Sequence, residues 1–142
     1  MTFTGLNIVG VIVAFGFSFV SGAIWFGPKT FFPVWWRLMG RKPDEAAGSG
    51  NPGLMFGLTY LGQLAMAFAS AVVINFVIAG TESPNNLLIG LQVGLLLGVF
   101  VAAAASLSHR LFGGHGIKVW LIEVGNDIDA IVAISVIVAV CR

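Results

Sequence analysis

Four stretches of the chain are apolar almost without interruption: Leu6 to Phe26, Leu54 to Ala79, Leu87 to Leu107 and Val119 to Val140. An α-helix rises about 1.5 Å per residue, so about 20 apolar residues cross the roughly 30 Å of hydrocarbon in a bilayer. Each stretch is long enough, and the second, the longest, should tilt. Two of the connections, Gly80 to Asn86 and Ser108 to Lys118, are short, which predicts antiparallel neighbours. The first connection, Pro28 to Gly53, is long and has two parts. From Lys29 to Met39, Phe31, Phe32, Trp35, Trp36 and Leu38 alternate with Lys29 and Arg37, the pattern of an amphipathic helix lying at the membrane surface. From Arg41 to Gly53 the chain turns to Gly, Pro, Ser and charge, the composition of a flexible loop. The pattern therefore predicts one all-α domain over residues 1–142: an integral membrane four-helix bundle with an interfacial helix between its first two spans.

Composition agrees with this picture. Hydrophobic residues make up 58% of the sequence and charged residues 9%, against about 25% charged in a typical soluble domain. Mean hydropathy is +0.98. A net charge of +1 gives no excess of basic residues to neutralise phosphates, which excludes nucleic acid as a partner. The single cysteine, Cys141, permits neither an internal disulfide nor a CxxC redox pair. No basic segment precedes the first span, which therefore reads as a retained helix and not as a cleaved signal. Lys29, Arg37, Arg41 and Lys42 fall in the first connection and Arg110 and Lys118 in the third, whereas only Arg142 lies on the other side. The positive-inside rule then puts the first and third connections in the cytoplasm and both termini on the opposite face.

Small residues should set how these helices pack, because lipid supplies no hydrophobic drive between them. Gly90, Gly94, Gly98 and Ala102 recur every four residues along the third span, and Ser18 with Gly22 makes a similar pair in the first. The stripes serve packing within the bundle or, alternatively, self-association. Trp25, Phe31, Phe32, Trp35 and Trp36 read as an interfacial belt. The alternative is the wall of a pigment, quinone or lipid pocket, and the sequence specifies no cofactor.

Candidate chemistry is concentrated in the fourth span, where Glu123, Asn126, Asp127 and Asp129 interrupt a Val/Ile/Leu background. An ionised Asp near the centre of a membrane helix costs roughly 2.5 to 3.5 kcal/mol on insertion scales. At about 100° per residue, Glu123, Asn126 and Asp127 share a face, whereas Asp129 sits beside Asn126 but roughly 160° around from Asp127. No Lys, Arg or His lies at comparable depth in another span; the polar residues there are Gln63 and Asn75 in the second and Gln92 and Ser106 in the third. An ion pair within one chain is therefore not expected. The acids can be accommodated as protonated or hydrogen-bonded groups, by a water-filled cavity or bound cation, or by a basic residue of another protein. His109 and His115 flank Arg110 in what reads as a loop, a poor position for haem or metal ligation, so no metal site is expected. No Gly-x-Ser-x-Gly, P-loop or zinc-protease pattern occurs, and no enzymatic activity is expected.

Gly22, Trp25, Phe26 and Pro28 at the end of the first span, followed by Trp35 or Trp36, Leu38 and Gly40, resemble the start of domain-of-unknown-function family 1761. Lys118, Trp120, Leu121, Ile122 and Gly125 resemble the start of that family's final helix. The resemblance implies a small four-helix membrane protein and carries no established activity. It also implies Asn at the position of Glu123 and aromatic or His residues around Asn126 and Asp127, where this chain is acidic or amidic. Together these features favour a non-enzymatic accessory or scaffolding subunit of a larger membrane assembly, in contact with lipid and with other membrane subunits or with itself. The rival expectation is a small homo-oligomeric transporter or channel that handles protons or cations through the same acids.

Overall fold

The computed structural model describes residues 5–45, 51–82 and 84–142, and its regular structure there is helical. The elements are α1 (Ile8–Trp25), α2 (Phe32–Leu38), α3 (Pro52–Ala79), α4 (Asn86–Leu95), a π-helical segment (Leu96–Ala103), α5 (Ala104–Phe112) and α6 (Gly116–Val140). The π segment joins α4 to α5, so that Asn86–Phe112 forms one rod of 27 residues. Three asparagines start the long helices. The side chains of Asn7, Asn51 and Asn85 accept hydrogen bonds from Gly10, Gly53 and Leu88 N–H groups at the heads of α1, α3 and α4. Each answers a backbone donor that has no partner within its own helix.

Three helices, α1, α3 and the Asn86–Phe112 rod, are long and apolar enough to cross a membrane. Their outer faces carry Val9, Leu61 and Phe100 at 68%, 64% and 73% exposure, along with many other large apolar side chains. Apolar exposure on this scale suits lipid and not water. The fourth long helix, α6, carries Glu123, Asp127 and Asp129 and falls outside this apolar class. It is nevertheless the centre of the structure, packing against α1, α2, α3, α4, the π segment and α5. Val119, Val124, Ala130, Ile131, Ile134, Ser135, Val138 and Ala139 are its buried positions.

Close approach to α6 is what the glycines of the third rod provide. A Cβ at Gly90 would lie 2.8 Å from the Val136 Cα, and one at Gly94 2.7 Å from the Val132 Cα. Gly98 faces the Ile128 Cα at 3.3 Å. Past Gly98 the expected stripe shifts: Ala103 and not Ala102 is the buried residue. The π segment causes the shift, because its wider turn adds one residue between successive contacts. On α1, Gly10, Val11, Ala14 and Ser18 form the buried stripe.

Several expected boundaries move. The surface helix expected over Lys29–Met39 is only Phe32–Leu38, since the chain at Pro28–Phe31 is a turn in which the Thr30 hydroxyl bonds back to carbonyls at the end of α1. The third connection, expected from Ser108 to Lys118, contracts to Gly113–His115, where Gly114 and the adjoining Gly116 both take φ +77. That left-handed backbone, natural to glycine, reverses the chain in very few residues. The loop expected from Arg41 to Gly53 lies partly outside the described residues. At its start, the Lys42 backbone N–H, followed by Arg41, holds the Glu45 carboxyl below the usual carboxylate range.

Gly94→Ala forces its methyl group against the backbone of α6 and is expected to cost about 1–3 kcal/mol through overpacking. Gly62→Ala, with nothing within 4 Å, should be neutral or slightly stabilising. Unfolding of the two variants in mixed micelles distinguishes these outcomes.

Candidate functional site

The polar residues of α6 fall into two groups, one inside the fold and one on its outer surface. Glu123 belongs to the first. Its Oε1 accepts a hydrogen bond from Trp35 Nε1 at 3.0 Å, and its Oε2 lies 2.6 Å from Arg110 Nε. The Glu123 side chain retains 14% exposure. This pair overturns the expectation that the acids find no cation within the chain. The physical reason is the length of α5: the helix continues to Phe112, so Arg110 stands in its last turn beside the start of α6 instead of in a loop. His109 is likewise helical, on the exposed side, with its ring nitrogen 3.1 Å from the Ala105 carbonyl.

Around this ion pair α1, α2, α5 and α6 converge. Trp25 Nε1 donates to the Ile122 carbonyl at 3.0 Å, and its ring occupies the space a Cβ on Gly125 would take, at 2.9 Å from Cζ2. Trp120 Nε1 donates to Ser106 Oγ at 3.0 Å, which ties α6 to α5. Trp25 lies 4.6 Å from Phe31 between ring centroids, Phe26 5.4 Å from Trp35, and Phe32 5.4 Å from Trp36. Trp36 is buried and donates to the Lys42 carbonyl at 2.7 Å. These aromatic residues are thus bonded into the protein through their indole nitrogens as well as arrayed around it.

Asp127 is one turn beyond Glu123, half-buried, within the field of Glu123 and Arg110 and beside Asn126. Asn126 turns toward α1, where a Cβ on Gly22 would lie 3.7 Å from its Oδ1. That oxygen is buried and accepts no hydrogen bond. Asp129 lies toward α1, as Asn126 does, and away from the Glu123–Arg110 pair. It is exposed, and its Oδ2 accepts a hydrogen bond from Ser21 Oγ of α1 at 2.6 Å. Ser21 does not stand out in the sequence as a partner, because the face that α1 turns to α6 is not encoded in its position.

Three residues that carry the family resemblance are neighbours in space: Trp25 rests on Gly125 and bonds to Ile122. A family profile described as Protein of unknown function (DUF1761) matches residues 9–139. The chain belongs to that family. No curated protein and no solved structure matches it. At position 123 this chain has an acid, and Arg110 supplies its countercharge.

Among the described residues no three His, Cys, Asp or Glu side chains gather as metal ligands do. The arrangement offers a neutralised, tryptophan-anchored ion pair inside and an exposed carboxylate outside. Arg110→Gln is expected to destabilise the fold by about 1–2 kcal/mol, because it leaves the largely buried Glu123 without a cation. Glu123→Gln keeps an acceptor for Trp35 and should cost less. A double-mutant cycle in micelles should return a favourable coupling between residues 110 and 123, and zero coupling would mean that the pair does not form.

Proposed function

We propose that this protein is a non-enzymatic, multi-pass membrane protein that serves as an accessory or scaffolding subunit of a larger membrane assembly. In this reading α6 is a fourth span, packed against the three apolar ones. The connections that carry Lys29 to Lys42 and Gly113–His115 face the cytoplasm, and both termini face the other side. The observation that supports the reading is Asp129. It is exposed on the outer surface of α6, six residues beyond Glu123, or about 9 Å at 1.5 Å per residue. A carboxylate facing lipid costs about 2.5 to 3.5 kcal/mol unless something covers it. Glu123, by contrast, is satisfied within the chain. Of the acids proposed as partner contacts, Asp129 is the one best placed to act between proteins.

A second reading has its own support. The unpartnered Asn126 Oδ1 is buried facing α1, with the half-buried Asp127 beside it, and such a pair can hold a proton or a cation. A homo-oligomeric transporter would use them as its site.

Native mass spectrometry after gentle solubilisation separates the two. The accessory reading expects a reproducible hetero-complex that Asp129→Asn weakens and Asp127→Asn spares. The transporter reading expects a homo-oligomer that moves protons or cations into liposomes and loses that flux in Asp127→Asn. A stable monomer, indifferent to both substitutions and without flux, would leave neither standing.

A further inference from the structure

Beside Asp129, on the outer face of α1, the structure has a cleft of about 280 Å³. Phe17, Val20, Ile24 and Trp25 of α1 and Phe31 of the following turn form its apolar wall, and Ser21 lies among them. Ser21 is also the residue whose hydroxyl bonds to Asp129. An apolar cleft and an exposed carboxylate thus share one side chain, and a single occupant can meet both. We propose that this face of α1 and α6 is the docking site for one transmembrane helix of a different protein, which carries a Lys or Arg opposite Asp129 and a bulky apolar side chain that fills the cleft. The assignment rests on the accessory-subunit reading and gives its partner a chemistry.

Charge complementarity selects the occupant. Among the described residues Ser21 is the one hydrogen-bond donor to Asp129, and a hydroxyl neither neutralises a carboxylate nor fills its remaining acceptor sites. A basic residue on a helix does both. A second copy of this chain does not bring one. Its seven Lys and Arg residues all lie in connections or at helix ends, with Arg37, Arg110 and Lys118 in terminal turns. A lipid tail fits the cleft but leaves the carboxylate bare. The spacing also constrains the partner. Ile24 and Trp25 stand one helical turn from Ser21, so the partner's apolar residue should lie three or four positions from its basic one.

The test is photo-cross-linking of the full chain in the membranes of the cell that makes it. The cross-linker is placed at Val20 in the cleft or, as a control, at Leu61 on the outer face of α3. Val20 should link to one membrane protein, through a spanning segment that contains a Lys or Arg. Asp129→Asn should lower that yield about tenfold or more, as loss of a desolvated charge pair does. Asp129→Lys combined with a Glu at the partner's basic position should restore it. Links from Val20 only to lipid, to a second copy, or to a segment without a basic residue would overturn the proposal, as would an unchanged yield in Asp129→Asn. Protein links from Leu61 but not from Val20 would move the docking site while leaving the accessory role intact. No protein link from either position would remove both.

Discussion

A polar helix at the centre of an apolar fold is the constraint on which this structure depends. With Glu123, Asn126, Asp127 and Asp129 on board, α6 is the long helix least suited to lipid, yet it touches every other helical segment. Burial of α6 requires its neighbours to approach its backbone, and the sequence meets that demand with glycines at positions 90, 94 and 98 and with the small stripe of α1. The outward faces of those neighbours can then be largely apolar, because the lipid they meet asks nothing else of them. Large apolar residues therefore face outward as well as inward: the buried core is Val, Ile and Ala, with Ser18, Ser70, Asn75 and Ser135 set among them.

The tryptophans complete this arrangement. A belt residue that only marks the interface leaves its indole N–H to water or headgroups. Here Trp25, Trp35, Trp36 and Trp120 each donate to a named acceptor within the protein. Trp35 joins the short helix α2 to Glu123, so the charged first connection is fastened to the same turn of α6 that receives Arg110. Trp25 in turn requires the missing side chain at Gly125.

Much of this was legible in the sequence. Long apolar runs announce helices whatever their surroundings, and three of the four expected spans are apolar by length and composition. The separation of Asp129 from Glu123 and Asp127 followed from helical periodicity alone. What escaped was what depends on local winding and on exact helix ends. The reach of Arg110 to Glu123 needed α5 to run on to Phe112, past polar residues that suggest a loop. The Ser21–Asp129 bond needed the relative rotation of α1 and α6, which no periodicity encodes. The docked state of α2 was hidden for the same reason: an aromatic run reads as a surface belt until its hydrogen bonds are known.

The π segment at Leu96–Ala103 has an effect well beyond its own length. Ala103, Ser106 and Arg110 follow one another at helical spacing along the face turned to α6, in phase with Gly98 only because the wider turn adds one residue. Wound as a regular α-helix, the same residues would rotate by about 100°, one residue's worth, and His109 would stand where Arg110 now does. The winding of this one turn therefore decides whether Glu123 meets a guanidinium or an imidazole ring.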